Sequence, residues 1–198
     1  VVYDALGFFS APRVWYTFRL FGHPRVAVLD GGLPKWRREG RPLESGEPVL
    51  RPKTYSAQAD PALVRSKAQM LANLTTRREQ VLDARPAGRF TGDEPETWPG
   101  RRGGHIPGAR NLPYADLVDP ATGTFLDAER LRARFAAAGV DLARPVVTSC
   151  GSGVTAAVLA FGLHLVGHDQ VALYDGSWAE WGLPGDTPVE TGPARPDR

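Results

Sequence analysis

The stretch VVTSCGSGVTAAV, residues 146–158, combines the patterns of a buried strand, a tight turn and the start of a helix. β-Branched residues lead into the only cysteine of the chain, Cys150, and a turn rich in glycine and hydroxyl side chains follows it. The apolar residues after the turn predict a helix that begins near Thr155. Because ligands bind at the carboxyl ends of strands in parallel α/β sheets, the stretch predicts Cys150 at such an edge. The fold class is α/β, with a mostly parallel sheet flanked by helices.

The same stretch begins the second copy of an internal repeat. Residues 146–181 align without gaps on residues 1–36, at an offset of 145 and with eleven identities. The identities fall at turn residues and strand ends, and they include Gly22 with Gly167, His23 with His168, Asp30 with Asp175 and Trp36 with Trp181. The repeat predicts two related domains. Residues 1–40 would be the C-terminal part of the first domain, which lacks its N-terminal part, roughly 80 residues by the offset.

Further elements are predicted before the second copy. A buried strand is expected in EQVLDAR (79–85) and a short strand in GARNLPY (108–114). Helices are expected in SKAQMLANLTTRR (66–78) and in DAERLRARFAAAG (127–139), which Asp127 opens and Gly139 closes. These elements assign residues 63–198 to the second domain.

Residues 41–62 are rich in proline and polar side chains, a composition typical of an interdomain linker. An edge strand is expected within them at TYSAQA (54–59), and the chain after Pro184 is expected to be loose.

Composition limits the classes of function. The net charge of +2, from 24 basic and 22 acidic residues, argues against nucleic-acid binding, and no apolar run is long enough to cross a bilayer. One cysteine cannot form an internal disulfide, which favours a reducing cytoplasm. The histidines lack metal-ligand spacing, so neither a metal nor another cofactor is expected.

The residues after Cys150 suit a nucleophile. Backbone N–H groups of Gly151, Ser152, Gly153, Val154 and Thr155 can turn inward, and the following helix adds its positive N-terminal end. Such a loop stabilises a thiolate and an anionic adduct. Cysteine phosphatases use a similar loop with the pattern C-x5-R, but Ala156 stands at the arginine position. Sulfur transfer through a cysteine persulfide needs less room, whereas a buried structural cysteine is the alternative without chemistry.

The segments CGSGVTA (150–156), GGHIPGARNLP (103–113) and VLDARPAGRF (81–90), with the repeated GH…V…DG…W, resemble the tandem rhodanese-domain sulfurtransferases. The resemblance covers nearly the whole chain. It implies two rhodanese-like domains, of which the second is catalytic through Cys150. The first would be inactive, because Ala5 stands at the repeat position of Cys150.

The resemblance also bears on the small anionic sulfur donor. An uncharged loop, here Gly151 and Ser152, is similar to that of the 3-mercaptopyruvate enzymes, whereas thiosulfate enzymes carry a basic pair there. Ser152 would move a proton or stabilise the leaving enolate, or would be a turn serine bonded to its own backbone. Arg89 corresponds to the carboxylate-binding arginine of the family. A second arginine of related enzymes is replaced by Trp98, for which Arg101 or Arg102 could substitute.

The leading hypothesis is transfer of sulfur from 3-mercaptopyruvate, through Cys150, to a thiol, thioredoxin or cyanide. Thiosulfate is the alternative donor. A non-catalytic rhodanese-like binding module and a phosphatase are the remaining alternatives. Asp83 and Arg85 are expected to fix a strand end, His105 to stabilise a turn, and Arg13 to lie near the interface between the two copies without a catalytic role.

Overall fold

The computed structural model describes residues 1–49 and 51–195. Their central feature is a five-stranded sheet with the strand order β1-β5-β4-β2-β3. All neighbouring strands are parallel. The strands are β1 Val64–Arg65, β2 Gln80–Asp83, β3 Arg110–Asn111, β4 Val146–Ser149 and β5 Val171–Tyr174. In the centre, Asp83 of β2 pairs in register with Ser149 of β4. The residue after β4, Cys150, is therefore at the carboxyl edge of the sheet, as the sequence predicts.

Helices lie on both faces of this sheet. They are α1 Ala11–Leu20, α2 Gly32–Arg38, α3 Lys67–Thr76, α4 Ala87–Thr91, α5 Ala128–Ala137, α6 Ala156–Leu165 and α7 Ser177–Trp181. Single turns of 3-10 helix occupy Pro61–Leu63 and Tyr114–Leu117.

Alternate strand side chains feed two separate cores, because successive residues of a strand point to opposite faces. Leu82 and Val146 belong to one core, with side chains of α1, α5 and α6. Val81 and Val147 belong to the other, with side chains of α3, α4 and α7. The prediction of a parallel sheet flanked by helices is confirmed.

Two predicted helices begin at the side chains that the sequence indicates. Ser66 and Gln69 form a capping box at the start of α3. The carboxylate of Asp127 accepts the N–H of Arg130 at 2.9 Å at the start of α5. Each cap satisfies backbone N–H groups that the first helical turn leaves without partners.

Three details of the prediction are wrong. Residues 54–59 form no strand, since the N–H of Gln58 and the hydroxyl of Tyr55 both donate to the carbonyl of Phe21 at the end of α1. The short strand β1 was not expected, because two residues show no alternation. The chain after Pro184 was expected to be loose, but it packs on the domain as far as residue 190. Thr187 is buried, and Glu190 pairs with His105 in an antiparallel bridge.

The internal repeat is visible as repeated structure. Every residue of α1 lies 145 positions before its counterpart in α6, and α2 and α7 begin at corresponding residues. Val2 and Val28 form a parallel bridge that resembles the pairing of β4 with β5. Helix α1 packs on α6, where the rings of Trp15 and Phe161 meet edge to face at 4.8 Å.

Within the described ranges, no helix has both the length and the apolar character needed to cross a membrane.

Candidate active site

Cys150 is 2% exposed and lies directly after β4. Its Sγ accepts the backbone N–H of Gly153 at 3.1 Å. Its own N–H donates to the hydroxyl of Ser177 at 3.1 Å. The sulfur therefore faces the turn that follows it, which we call the Cys loop, residues 150–155.

Gly153 is required by the shape of this loop. Its φ of +79° lies in the left-handed region. A Cβ there would come within 2.9 Å of Oδ1 of Asp175 and 3.0 Å of Nη1 of Arg13. Any side chain would thus strain the backbone and displace the N–H that reaches the sulfur.

The start of α7 holds the other side of the Cys loop. The N–H of Trp178 donates to the carbonyl of Cys150 at 2.9 Å, and that of Ala179 donates to the carbonyl of Gly151 at 2.7 Å. Ser177 adopts a φ of +49°, and its hydroxyl donates to the carbonyl of Tyr174 at 2.8 Å. Ser177 was not predicted. The repeat contained a signal for it, because a glycine, Gly32, stands at the equivalent position of the first copy. In the structure both residues have a positive φ, which is +56° at Gly32.

The Cys loop presents further N–H groups without a partner in the protein. Those of Gly151, Ser152, Val154, Thr155 and Ala156 donate to no other described residue. The hydroxyl of Ser152, an exposed residue, likewise bonds to no described residue, contrary to the turn-serine alternative. Val154 and Thr155 are half-buried, and α6 begins at Ala156, one residue after the predicted start.

The first copy of the repeat shows what such a loop binds. The carboxylate of Asp4 accepts the N–H groups of Leu6, Ser10 and Ala11, each at 2.8 Å. The equivalents of these donors in the second copy are Gly151, Thr155 and Ala156, whose N–H groups are unpartnered. The repeated loop is therefore a backbone anion cradle, which an internal carboxylate fills in the first copy.

Arg13 reaches the Cys loop from α1. Its Nη1 lies 2.6 Å from Oδ1 of Asp175 and donates to the carbonyl of Gly153 at 3.3 Å. The expectation that Arg13 lies near the interface between the copies is right, and its contact with the loop itself was not predicted. Sequence spacing gives no signal for a contact between residues 140 positions apart.

The segment after α4 covers the loop on the side of Gly151. A Cβ on Gly151 would lie 3.6 Å from Nε1 of Trp98. Arg89 donates to the hydroxyl of Thr97 at 3.4 Å, which places its guanidinium beside this segment. Arg101 donates from Nε to the carbonyl of Ala179 at 3.1 Å, next to the loop. Arg102 is instead bound to the carbonyl of Trp181 and the hydroxyl of Thr187, so it cannot take the place of the missing arginine.

A buried ion cluster anchors this segment to the sheet. Arg85 is fully buried and pairs with Asp83 at 2.7 Å and with Glu96 at 2.5 Å. Burial opposes the charged guanidinium, but the two carboxylates outweigh it, so the pKa of Arg85 is raised. The guanidinium carbon of Arg85 stacks over the ring of Trp178, 4.2 Å from the ring centroid. The structural role expected for Asp83 and Arg85 matches these contacts.

His105 is buried and stacks on Phe90 with ring centroids 3.8 Å apart. Its Nδ1 lies 2.9 Å from the carbonyl of Phe90. Burial lowers the pKa of His105, against the opposing effects of that carbonyl and of Glu190. These contacts fit the turn-stabilising role expected from the sequence.

Among residues 1–49 and 51–195, no group of three His, Cys, Asp or Glu side chains is arranged to hold a metal ion. The fold and the site together define a doubly wound α/β protein with a cysteine at the head of a backbone anion cradle.

Comparison with known proteins identifies the family within this class. A family model described as rhodanese-like domain matches residues 66–183. Human 3-mercaptopyruvate sulfurtransferase is 47% identical over 183 residues, which are 91% of this chain and 61% of the human protein. The Arabidopsis thaliana protein named thiosulfate/3-mercaptopyruvate sulfurtransferase 1, mitochondrial, is 42% identical over 212 residues, 96% of this chain and 56% of that protein. The crystal structure of SseA from Escherichia coli, described as a 3-mercaptopyruvate sulfotransferase, matches with a TM-score of 0.78 and 40% identity, over 89% of this chain and 65% of that one.

The chain belongs to the rhodanese-like family. It spans 61% and 56% of the length of the two sequence relatives.

Proposed function

We propose that the protein is a sulfurtransferase in which Cys150 takes a sulfur atom from 3-mercaptopyruvate and carries it as a persulfide. The observation that carries the proposal is the hydrogen bond of 3.1 Å from the N–H of Gly153 to Sγ of Cys150, inside a loop with further unpartnered N–H groups. Backbone donors aimed at a sulfur favour its anionic form and the anionic persulfide.

The internal repeat supports an anionic occupant. The equivalent loop of the first copy binds the carboxylate of Asp4 through three N–H groups. The second copy has Ser149 at that position, so its cradle contains no carboxylate of its own. A thiolate on Cys150, and then a persulfide, would supply the negative charge instead.

The transfer proceeds in two displacements. The thiolate of Cys150 attacks the sulfur of 3-mercaptopyruvate, the carbon–sulfur bond breaks, and the pyruvate enolate leaves with the electron pair and takes up a proton. Ser152 is exposed at the loop and carries the hydroxyl that relays this proton. In the second step an acceptor thiolate, of a small thiol or thioredoxin, or cyanide attacks the outer sulfur. The persulfide bond breaks and the Cys150 thiolate forms again.

The neutral loop supports a monocarboxylate donor. Gly151, Ser152 and Gly153 carry no charge, and the charge of Arg13 is balanced by Asp175 at 2.6 Å. Arg89 and Arg101 both lie near the segment that covers Gly151, and in this role they would attract the carboxylate. Thiosulfate is the second candidate donor, since the name of the Arabidopsis relative includes both donors.

Release of product from each donor tests the proposal. The chain is incubated with 3-mercaptopyruvate or thiosulfate and with cyanide or dithiothreitol as the acceptor, and pyruvate and sulfite are measured. We expect more pyruvate than sulfite, and no catalysed release of either from Cys150→Ser. Equal or reversed release would overturn the choice of donor. Release that is unchanged in Cys150→Ser would overturn the enzyme and favour a binding module.

We also propose the domain organisation: residues 1–40 as the C-terminal part of an inactive rhodanese-like domain, residues 41–62 as the linker, and residues 63–198 as the catalytic domain. The identical placement of α1 and α6 in the repeat supports it. A single unpaired cysteine supports a reducing, cytoplasmic location.

A further inference from the structure

Arg13 lies on α1, in the first copy of the repeat, and its side chain ends at the Cys loop of the second copy. Its Nη1 donates to the carbonyl of Gly153 at 3.3 Å and lies 2.6 Å from Oδ1 of Asp175. The N–H of the same glycine donates to Sγ of Cys150 at 3.1 Å. A single residue, Gly153, therefore links the guanidinium to the nucleophile.

Arg13 and Asp175 enclose the backbone of Gly153. A Cβ on this glycine would lie 3.0 Å from Nη1 of Arg13, 2.9 Å from Oδ1 of Asp175 and 3.0 Å from its carbonyl oxygen. Glycine is the most permissive residue in its backbone angles, so the φ of +79° needs contacts that select it. The ion pair supplies such contacts on one side of the residue and also holds its carbonyl. The direction of the N–H toward Sγ depends on these contacts.

The charge of Arg13 has less effect on the sulfur than its geometry. Its side chain is 31% exposed and that of Asp175 is 55% exposed. The two charges balance each other, and solvent screens what remains of their field. The contact with the backbone of Gly153 is the route by which the pair acts on Cys150.

The counterpart positions of the first copy lack this arrangement. Val158 is the repeat counterpart of Arg13, and Phe8 is the counterpart of Gly153. Phe8 packs edge to face on Phe125, with ring centroids 4.4 Å apart. The first copy thus has an aromatic contact at its loop, whereas the loop that carries the cysteine has a guanidinium on a glycine.

We propose that Arg13, held by Asp175, is a positioning residue for the nucleophile, because it fixes the backbone of Gly153 so that its N–H points at Sγ of Cys150. The first copy of the repeat would then supply a side chain on which the reactivity of the second copy depends. This inference rests on the proposed function for sulfur transfer, but the reactivity of Cys150 can be measured separately.

Alkylation of the single cysteine by iodoacetamide, followed from about pH 5 to about pH 10, tests the proposal without a sulfur donor. In Arg13→Met the rate at neutral pH is expected to fall about fivefold and the pH of the half-maximal rate to rise, because the thiolate loses an aligned hydrogen bond. The limiting rate at high pH should stay within about twofold, since the thiolate is then fully formed in both proteins. An unchanged profile in Arg13→Met overturns the proposal.

Asp175→Ala separates geometry from charge. Loss of this carboxylate removes a negative charge near the Cys loop, which by itself would favour the thiolate and speed alkylation. If Arg13 acts by holding Gly153, its release from Asp175 should instead slow alkylation at neutral pH, by about threefold. Alkylation that is faster or unchanged in Asp175→Ala overturns the proposal.

Arg19→Met is the matched control. Arg19 lies on the same helix, its Nη2 is 3.8 Å from Oδ1 of Asp169, and its side chain is 28% exposed. The variant removes the same charge from another ion pair between α1 and the second copy, so the alkylation profile should not change. Urea denaturation shows that each variant is folded. A slowing as large as that of Arg13→Met would show a general effect of charge or stability and overturn the proposal.

Sulfur transfer from 3-mercaptopyruvate gives a second readout. In Arg13→Met, kcat is expected to fall about fivefold and KM to stay within about twofold, because the change acts on the nucleophile and not on the donor. A rise in KM with unchanged kcat would make Arg13 a donor-binding residue and overturn its positioning role. If the unaltered chain transfers no sulfur, the proposed function fails, while the alkylation profiles still decide whether Arg13 positions the nucleophile.

Discussion

Gly153 connects the backbone geometry of the Cys loop with the reactivity of its sulfur. Its left-handed conformation directs one N–H at Sγ of Cys150, and Arg13 and Asp175 leave no space for a side chain. The residue type is thus determined by a contact from another part of the chain. Glycine is the only residue that meets both conditions without strain.

We predict that Gly153→Ala slows alkylation of Cys150 by iodoacetamide about tenfold, because the thiolate loses a charge-assisted hydrogen bond. The free energy of unfolding should also fall by more than the 1–2 kcal/mol, roughly, that a left-handed alanine costs. Alkylation rates and urea denaturation measure the two effects.

Gly167→Ala is the control, since Gly167 has a φ of +84° with nothing within 4 Å of the added Cβ. It should lose stability through its backbone conformation alone and keep the original alkylation rate. If Gly153→Ala reacts as fast as Gly167→Ala, the N–H of Gly153 has no part in activating the sulfur.

At the scale of elements, local signals located the helices well. The Ser66 and Asp127 caps and the apolar stripe after Thr155 each predict a helix start to within a residue. Caps act over one helical turn, so neighbouring residues suffice to identify them.

Elements that depend on contacts between residues far apart in the sequence were not predicted. Strand β1 exists because Val64 pairs with Leu173, and residues 54–59 stay outside the sheet because they bond to the end of α1. The contact of Arg13 with Gly153 belongs to the same class. Alternation and propensity describe a segment, and they do not show which remote partner it meets.

The bridge between His105 and the C-terminal segment should make stability depend on pH. Because burial lowers the pKa of His105, the unfolded chain binds a proton at higher pH than the folded protein does. The stabilisation is complete above the ordinary pKa of about 6.5 and is lost as the pH falls below it.

Urea denaturation of the unaltered protein and of His105→Gln, at pH 7.5 and at pH 5.5, measures this dependence. The variant should be less stable at both values and lose less on acidification. His23→Gln, at the far end of α1, should keep the original dependence. An equal loss on acidification in His105→Gln would assign the effect to other groups.

At the scale of the whole molecule, the two copies of the repeat differ in what covers them. Val14, Phe18 and Phe21 of the first copy are 40–44% exposed. Their counterparts in the second copy, Leu159, Leu163 and Val166, are at most 8% exposed. The same helix face is therefore part of a core in one copy and lies at the surface in the other.

We expect Leu163→Ala to lower the free energy of unfolding by about 3 kcal/mol, because it leaves a cavity in a closed core. Phe18→Ala, at the equivalent position, should cost about 1 kcal/mol or less, since the ring already contacts solvent. Equilibrium denaturation of the two variants side by side gives both values. Similar losses would mean that the face of α1 is as well packed as that of α6.

The repeat and the cysteine stretch were sufficient to predict the α/β class, the parallel sheet and the position of Cys150. They could not predict which distant residues contact the Cys loop, namely Ser177, Arg13 and Trp98 from other segments. These residues meet at the carboxyl edge of the sheet only after the chain has folded.

The most direct test is the mass of the intact protein after treatment with 3-mercaptopyruvate. One added sulfur atom on Cys150 is predicted, removed by cyanide or dithiothreitol, with no such adduct in Cys150→Ser. Absence of the added sulfur from the unaltered protein, under conditions in which the donor is intact, would contradict the role of Cys150 as the sulfur carrier.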